Sequence, residues 1–299
     1  MGDPDEAFAR AGVLFDEGRY EEAFAAYGEV VAADPTRARA IGAQARCLSA
    51  LARHDEAIAL ATRAVEVDVA QPYAHVALIV ALHSASRPEP LIAAVGEAEG
   101  VAFSQIQRGS IQAMLAYAYV ELDQIDHAYA AASKSVELAP ESAMAHCALA
   151  SALGLQNRMG PALAAIERAV AIEPTDAFYA DRRDTLRKGV EILEGALAEA
   201  RARLDGSPSA DAWSDVGALL DLLGRYREAA TAFEQAIAID PAHVAAWTGK
   251  GWALHREGGR FPEDVLAFQK ADELGKRKSK RAKKPTKTTK KSAKKAKRR

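Results

Sequence analysis

Aromatic residues are scarce in this chain, at 6%. Alanine is abundant, which suits close-packed helices and suits strands poorly. Cysteine occurs only twice, as Cys47 and Cys147. Neither lies in a C-x-x-C or metal-ligand spacing, which excludes a disulfide scaffold and a zinc cluster and favours a reducing compartment. Both read as buried small hydrophobes. No apolar run approaches the ~20 residues that span a bilayer. The start, MGDPDEAFAR, has neither a basic n-region nor an apolar h-region. These absences lead us to expect a cytoplasmic protein, with association to the nucleoid as a variant of that expectation.

Catalytic signatures are missing as well. There is no GxxxxGK[ST], no GxGxxG after a strand, no HExxH and no GxSxG. The seven histidines are scattered. His75 and His83 are about two helical turns apart, too far for one metal. The expectation is a non-enzyme with no cofactor and no metal.

The net charge of −2 conceals a segregation. Of the 39 Lys and Arg residues, 15 lie from residue 275 onward, where there is no acid; the other 24 face all 41 acids, so the body carries −17. The molecule is an acidic body with a basic tail.

What is present is a 34-residue period. In residues 210–243 the spacing places Trp213 at position 4, Gly217 at 8, Leu220 at 11, Gly224 at 15, Tyr226 at 17, Ala229 at 20, Phe233 at 24, Ala236 at 27 and Pro241 at 32. Residues 4–37 share Gly18, Tyr20, Ala23, Tyr27 and Pro35; residues 38–71 keep Ala45, Leu48, Ala57, Ala61 and Ala64. Residues 109–142, 143–176 and 244–274 follow the same phase. The third repeat, from residue 72, is irregular: Pro88 and Pro90 open its second helix, and VAFSQIQRGS connects it to the fourth. The sixth, 177–209, is degenerate, with Asp184 at the close-packing position 8. This order and spacing resemble the tetratricopeptide repeat, a helix–turn–helix unit.

The resemblance implies an all-α fold, a right-handed superhelical solenoid of about eight repeats over residues 1–274, followed by a disordered tail over 275–299. It also implies a non-catalytic scaffold that binds a protein or peptide partner in a concave groove lined by first helices, mainly at positions 2, 5, 9 and 12. In this sequence those positions give Arg39 and Arg46, then Tyr73, Val76, Val80 and His83, then Tyr117 and Val120, then Met144 and Ser151. An acidic group on the ligand would suit Arg39 and Arg46. The bland alternative is that the apolar helix of the third repeat simply packs on its own irregular second half. The two-carboxylate clamp for the Glu-Glu-Val-Asp end of heat-shock proteins is not expected. Its positions hold Phe8, Gly12, Ala43, Tyr73 and Ala77 in the first three repeats, and Ser214, Ala218 and Gly249 in the last two.

The tail resembles the lysine-rich tails of linker-histone-like and nucleoid proteins. Its candidate phosphate-binding residues are Lys276, Arg277, Lys278, Lys280, Arg281, Lys283, Lys284, Lys290, Lys291, Lys294 and Lys295. They would bind DNA or RNA non-specifically by counterion release. With no aromatic in the tail, base stacking is not available. A merely solubilising tail, or one that contacts its own acidic body, are the competing readings. No membrane contact is expected.

Overall fold

The computed structural model describes residues 4–259 and 262–282. These contain fifteen α-helices and no strand. The helices pair as hairpins: α1 (Pro4–Asp16) with α2 (Tyr20–Ala33), α3 (Ala38–Ala50) with α4 (His54–Val67), and α5 (Pro72–Ser84) with α6 (Pro88–Glu97). Next come α7 (Gln105–Glu121) with α8 (Ile125–Leu138) and α9 (Ala143–Leu155) with α10 (Met159–Ile172). A single long helix, α11 (Ala177–Gly206), precedes α12 (Ala210–Leu222) with α13 (Tyr226–Ile239) and α14 (Val244–Gly258) with α15 (Glu263–Ala282). The fold is an all-α helical-repeat solenoid.

Each first helix ends in the same way. A residue takes positive φ, so the chain reverses: Gly18, Ala52, Ser86, Asp123, Asn157 and Gly224 in six hairpins, and Gly258 with Gly259 at the end of α14. Around Ala52, its own N–H bonds to Ser49 C=O and the N–H of Arg53 to Leu48 C=O at 2.9 Å. This is the Schellman closure, which satisfies carbonyls that the helix end would leave without partners. Gly18, Ala52 and Ser86 are 34 apart, and so are Asp123 and Asn157. The period is thus written into the backbone as well as into the side chains.

The period slips between Ser86 and Asp123, which are 37 apart. The other hairpins before the last have second helices of 14 residues, whereas α6 has 10. Conversely, α7 has 17 residues where α1, α3, α5, α9 and α12 have 13. One turn has passed from the end of one helix to the start of the next. The stretch expected as a connector is therefore helical from Gln105. Ser104 accepts from the N–H of Gln107 while the Gln107 side chain accepts from the N–H of Ser104, a capping box that starts α7 early.

The sixth repeat is not a hairpin. Its residues Ala177–Gly206 form one helix of 30 residues. The position one period beyond Asn157 is Glu191, a good helix former within a run of others, and Gly189 and Gly195 lie out of phase with the turn. Asp184, at the close-packing position, is exposed and paired with Arg183. At the other end, α15 continues past the expected boundary at Leu274 to Ala282. Residues 275–282 of the expected disordered tail are thus helical, and residues 283–299 lie outside the described part.

The chain forms two compact units, Met1–Asn157 with Pro161–Thr185, and Arg158–Gly160 with Leu186–Arg299. In the first unit the cores between helices are built mostly of alanine, such as Ala45, Ala57, Ala61 and Ala77, all fully buried. Cys47 and Cys147 are buried free thiols there. In the second unit Phe233 is buried among Val216, Leu220 and Ala246. A Cβ on Gly217 would lie 2.8 Å from the Phe233 ring, closer than carbon atoms approach. Glycine at position 8 is what lets α12 and α13 close.

Gly217→Ala should therefore cost about 1–3 kcal/mol through overpacking, despite the better helix propensity of alanine. Gly195→Ala, in α11 with open space around it, should gain about 0.5–1 kcal/mol. Urea unfolding followed by tryptophan fluorescence reads both, because Trp213, Trp247 and Trp252 all lie in the second unit. Equal stability of the two variants would contradict the packing argument.

Candidate functional site

The first helices of the first unit carry two clusters of aromatic and basic side chains. At its N-terminal end, Arg39 sits 5.0 Å from the Phe8 ring centre and 5.8 Å from that of Tyr73. Arg46 sits 4.9 Å from Phe15 and 5.6 Å from Tyr73, and it donates to the Tyr73 hydroxyl at 2.8 Å. Among the described residues neither arginine pairs with a carboxylate. Arg19 and Arg53, just before the second helices α2 and α4, by contrast, each pair with a glutamate three residues on. Aromatic rings hold these two cations in place without a carboxylate partner among the described residues.

The second cluster surrounds a pocket of about 360 Å³ lined by His83, Tyr117, Val120, Glu121, Met144, Ser151, Phe178, Tyr179 and Arg182. His83 stacks on Tyr117 with ring centres 5.6 Å apart. Arg182, from the first turns of α11, donates to Ser151 Oγ at 2.8 Å and lies 5.5 Å from the Phe178 ring centre. Ser151 in turn donates to the Cys147 carbonyl at 3.0 Å. Among the described residues Arg182 also has no carboxylate partner. Phe178 is 56% exposed, so a large apolar ring stands open beside an uncompensated guanidinium.

Burial governs the titration of this pocket. It pushes the Tyr117 phenol well up, helped by the hydrogen bond to Cys147, so the hydroxyl stays neutral. It pushes Tyr179 up to about 12 and raises the Cys147 thiol. It also holds His83 below its ordinary value, with Glu121 opposing. No group of three or more histidines, cysteines or carboxylates among the described residues is placed to hold a metal.

The ten positions expected from the repeat are therefore distributed unevenly. Arg39, Arg46 and Tyr73 meet in the first cluster, and His83, Tyr117, Val120, Met144 and Ser151 meet in the second. Val76 and Val80 join neither; they are half-buried against the core of Ile79, Leu91, Ile111 and Met114. The positional rule also reaches Phe8, Phe15 and Phe178, at positions 5, 12 and 2 of their repeats. Arg182 and Tyr179 fall at positions the rule does not name. They stand at positions 6 and 3 of the sixth repeat, on the first turns of α11, which begin in phase 34 residues after the start of α9.

In the tail, Lys276 and Arg277 sit on α15 and pair with Asp272 and Glu273 at 2.5 Å each. Lys278 is exposed on the same helix, and Lys280 and Arg281 belong to its last turns. Lys283, Lys284, Lys290, Lys291, Lys294 and Lys295 lie outside the described residues.

The depressed value of His83 makes a prediction with a fixed sign. The folded state resists protonating it, so its contribution to stability is present above the unfolded value near ~6.5 and fades as pH falls through the folded value. Between pH 7 and 5 the wild-type chain should lose more melting temperature than His83→Phe, measured by circular dichroism. Equal losses would show that His83 titrates normally.

Three family models, each described as tetratricopeptide repeat, match residues 14–80, 110–142 and 218–278, together more than half of the chain. No curated protein matches the sequence at a significant level. Among solved structures, a thermophilic TPR protein from Thermus thermophilus is 19% identical with a TM-score of 0.54, over 62% of this chain and 98% of that one. The human IFIT1 dimer with m7Gppp-AAAA is 15% identical with a TM-score of 0.55, over 92% of this chain and 72% of that one. At such identities the likeness concerns the fold. No helix among the described residues is long and apolar enough to cross a membrane. The matched models, the 34-residue spacing of the left-handed turns and the glycine-mediated closure agree: the chain belongs to the tetratricopeptide-repeat family.

Proposed function

We propose that the chain is a non-catalytic protein-interaction scaffold, and that the first-helix face of its first unit binds a peptide or helix carrying acidic and apolar or aromatic side chains. One observation carries this reading. Arg39, Arg46 and Arg182 are each held over an aromatic ring and paired with no carboxylate among the described residues. An acidic side chain of a partner would complete them, while Tyr73, Phe178 and Tyr179 offer ring surface next to each charge. The chemistry of the pocket suits binding rather than catalysis. Its two phenols, Tyr117 and Tyr179, are held neutral, and its histidine stacks on a ring.

A second reading is favoured by the segregation of charge along the chain: the scaffold would be tethered to DNA or RNA through its basic C-terminus. Lys276 and Arg277 already have acidic partners on α15. Any phosphate contact would therefore fall mainly on the lysines from residue 283 onward. Such contacts would be non-specific and steeply salt-dependent. Docking of a Glu-Glu-Val-Asp chaperone end is not part of either reading.

One experiment separates the two. A fluorescein-labelled 12-residue peptide alternating Glu with Leu and Phe is titrated by anisotropy, and a duplex DNA by mobility shift at low salt. Arg182→Glu should weaken the peptide about tenfold or more, in line with the loss of a charge-assisted contact. Arg63→Glu, on the exposed face of α4, should leave it unchanged. Removal of residues 283–299 should abolish the DNA shift and spare the peptide. Equal loss in the two arginine variants would refute a specific face, and a truncated chain that still shifts DNA would refute the tether.

A further inference from the structure

The turn transferred from α6 to α7 leaves a space behind it. The second helix of the third repeat stops one turn short, about 6 Å, and residues 101–104 cross to α7 without regular structure. The space is a cleft of about 450 Å³ between α5, α6, α7 and α8, within the ~300–1,000 Å³ of small-molecule sites. Gly100, at φ +91°, and the Ser104 capping box hold the crossing segment open. Phe103 is anchored edge-on against His75, whose Nε2 is bonded to the Val69 carbonyl at 2.8 Å. Gln105 donates to the Leu138 carbonyl at 2.9 Å and ties the start of α7 to the end of α8. The walls are therefore fixed by named contacts.

The lining is polarised. Its buried and half-buried part is mainly apolar, with Ile79, Val95, Phe103, Ile111 and Leu138 beside the polar Gln112. Its exposed part carries Arg108 and Lys134, and no acidic residue lines the cleft. Lys134 is partly neutralised by Glu137 at 3.0 Å. Arg108 has no carboxylate partner among the described residues. A body otherwise rich in acid thus presents one apolar cleft with a cationic mouth. Water fills such a surface poorly, and an anion with an apolar body complements it at both ends.

We propose that this cleft is a binding site for a small amphipathic carboxylic acid, its aliphatic chain inserted among Val95, Phe103, Ile111 and Leu138 and its carboxylate on Arg108. The site is separate from the first-helix face and arises from the displaced turn, which the repeat pattern does not require. The free acid is the favoured source of this chemistry because a space of about 450 Å³ matches a small molecule and its exposed rim carries Arg108 without a carboxylate partner among the described residues.

The test is calorimetric titration of the full chain with decanoate and with decanol. Decanoate should bind with one saturable site, and decanol about tenfold more weakly, since it lacks the charge that Arg108 meets. Arg108→Ala, an exposed change with no partner to lose, should bring decanoate down to the level of decanol. Val95→Trp, checked for wild-type helicity, should fill the cleft and remove binding of both. If that variant fails to fold, Arg108→Ala decides alone. No saturable binding, undiminished binding by Arg108→Ala or by a folded Val95→Trp, or tighter binding of a short peptide ending in leucine than of decanoate would overturn the proposal.

Discussion

Everything in this molecule depends on how closely two helices can approach. A hairpin of 13- and 14-residue helices cannot bury its apolar face alone, so each must be covered by the next. Coverage needs small side chains where helices cross. The buried residues of the first unit are accordingly mostly alanine, and in the second unit Gly217 and Gly251 stand against Phe233 and Phe268. Such cores are thin, with few large side chains, and stability is spread along the array. The second requirement is a reversal at the end of each hairpin's first helix, met by residues of positive φ that are 34 apart wherever the period holds.

These two constraints explain what was legible in the sequence. The positions that serve packing and reversal, such as Gly18, Gly224, Ala61 and Phe233, recur at fixed intervals because one geometry demands them each time. The hairpins outside the sixth repeat could be read from them. Ala52, Ser86 and Asp123 take the left-handed turn without being glycine, held by the Schellman bonds on either side, so no single residue type marks that turn. The deviations were harder to read. Pro88 and Pro90 announced an irregular third repeat, but not that the lost turn of α6 would reappear at the start of α7; that follows from the Ser104–Gln107 box. The continuous α11 depends on the absence of a turn at Glu191, and an absence has no local motif.

The candidate site was half legible for the same reason. The first-helix positions are set by the repeat, so Arg39, Arg46, Tyr73, His83 and Tyr117 could be named in advance. Arg182, Tyr179 and Glu121 could not: they stand at positions 6, 3 and 13 of their repeats, which the positional rule does not name. Val76 and Val80 show the converse: they occupy positions that the rule names, yet they pack half-buried against the core of Ile79, Leu91 and Ile111. The cleft behind α6 arises where the period fails. The two arginine clusters instead stand on first helices that keep the phase.

The central claim is that the first-helix face of the first unit, with its ring-held and uncompensated arginines, is where a partner binds. Hydrogen–deuterium exchange of the full chain, with and without a saturating acidic and aromatic peptide, tests it most directly. The account predicts added protection in α3, α5, α7, α9 and the first turns of α11. Protection confined to α2, α4, α8 and α10, or to the second unit, would contradict it.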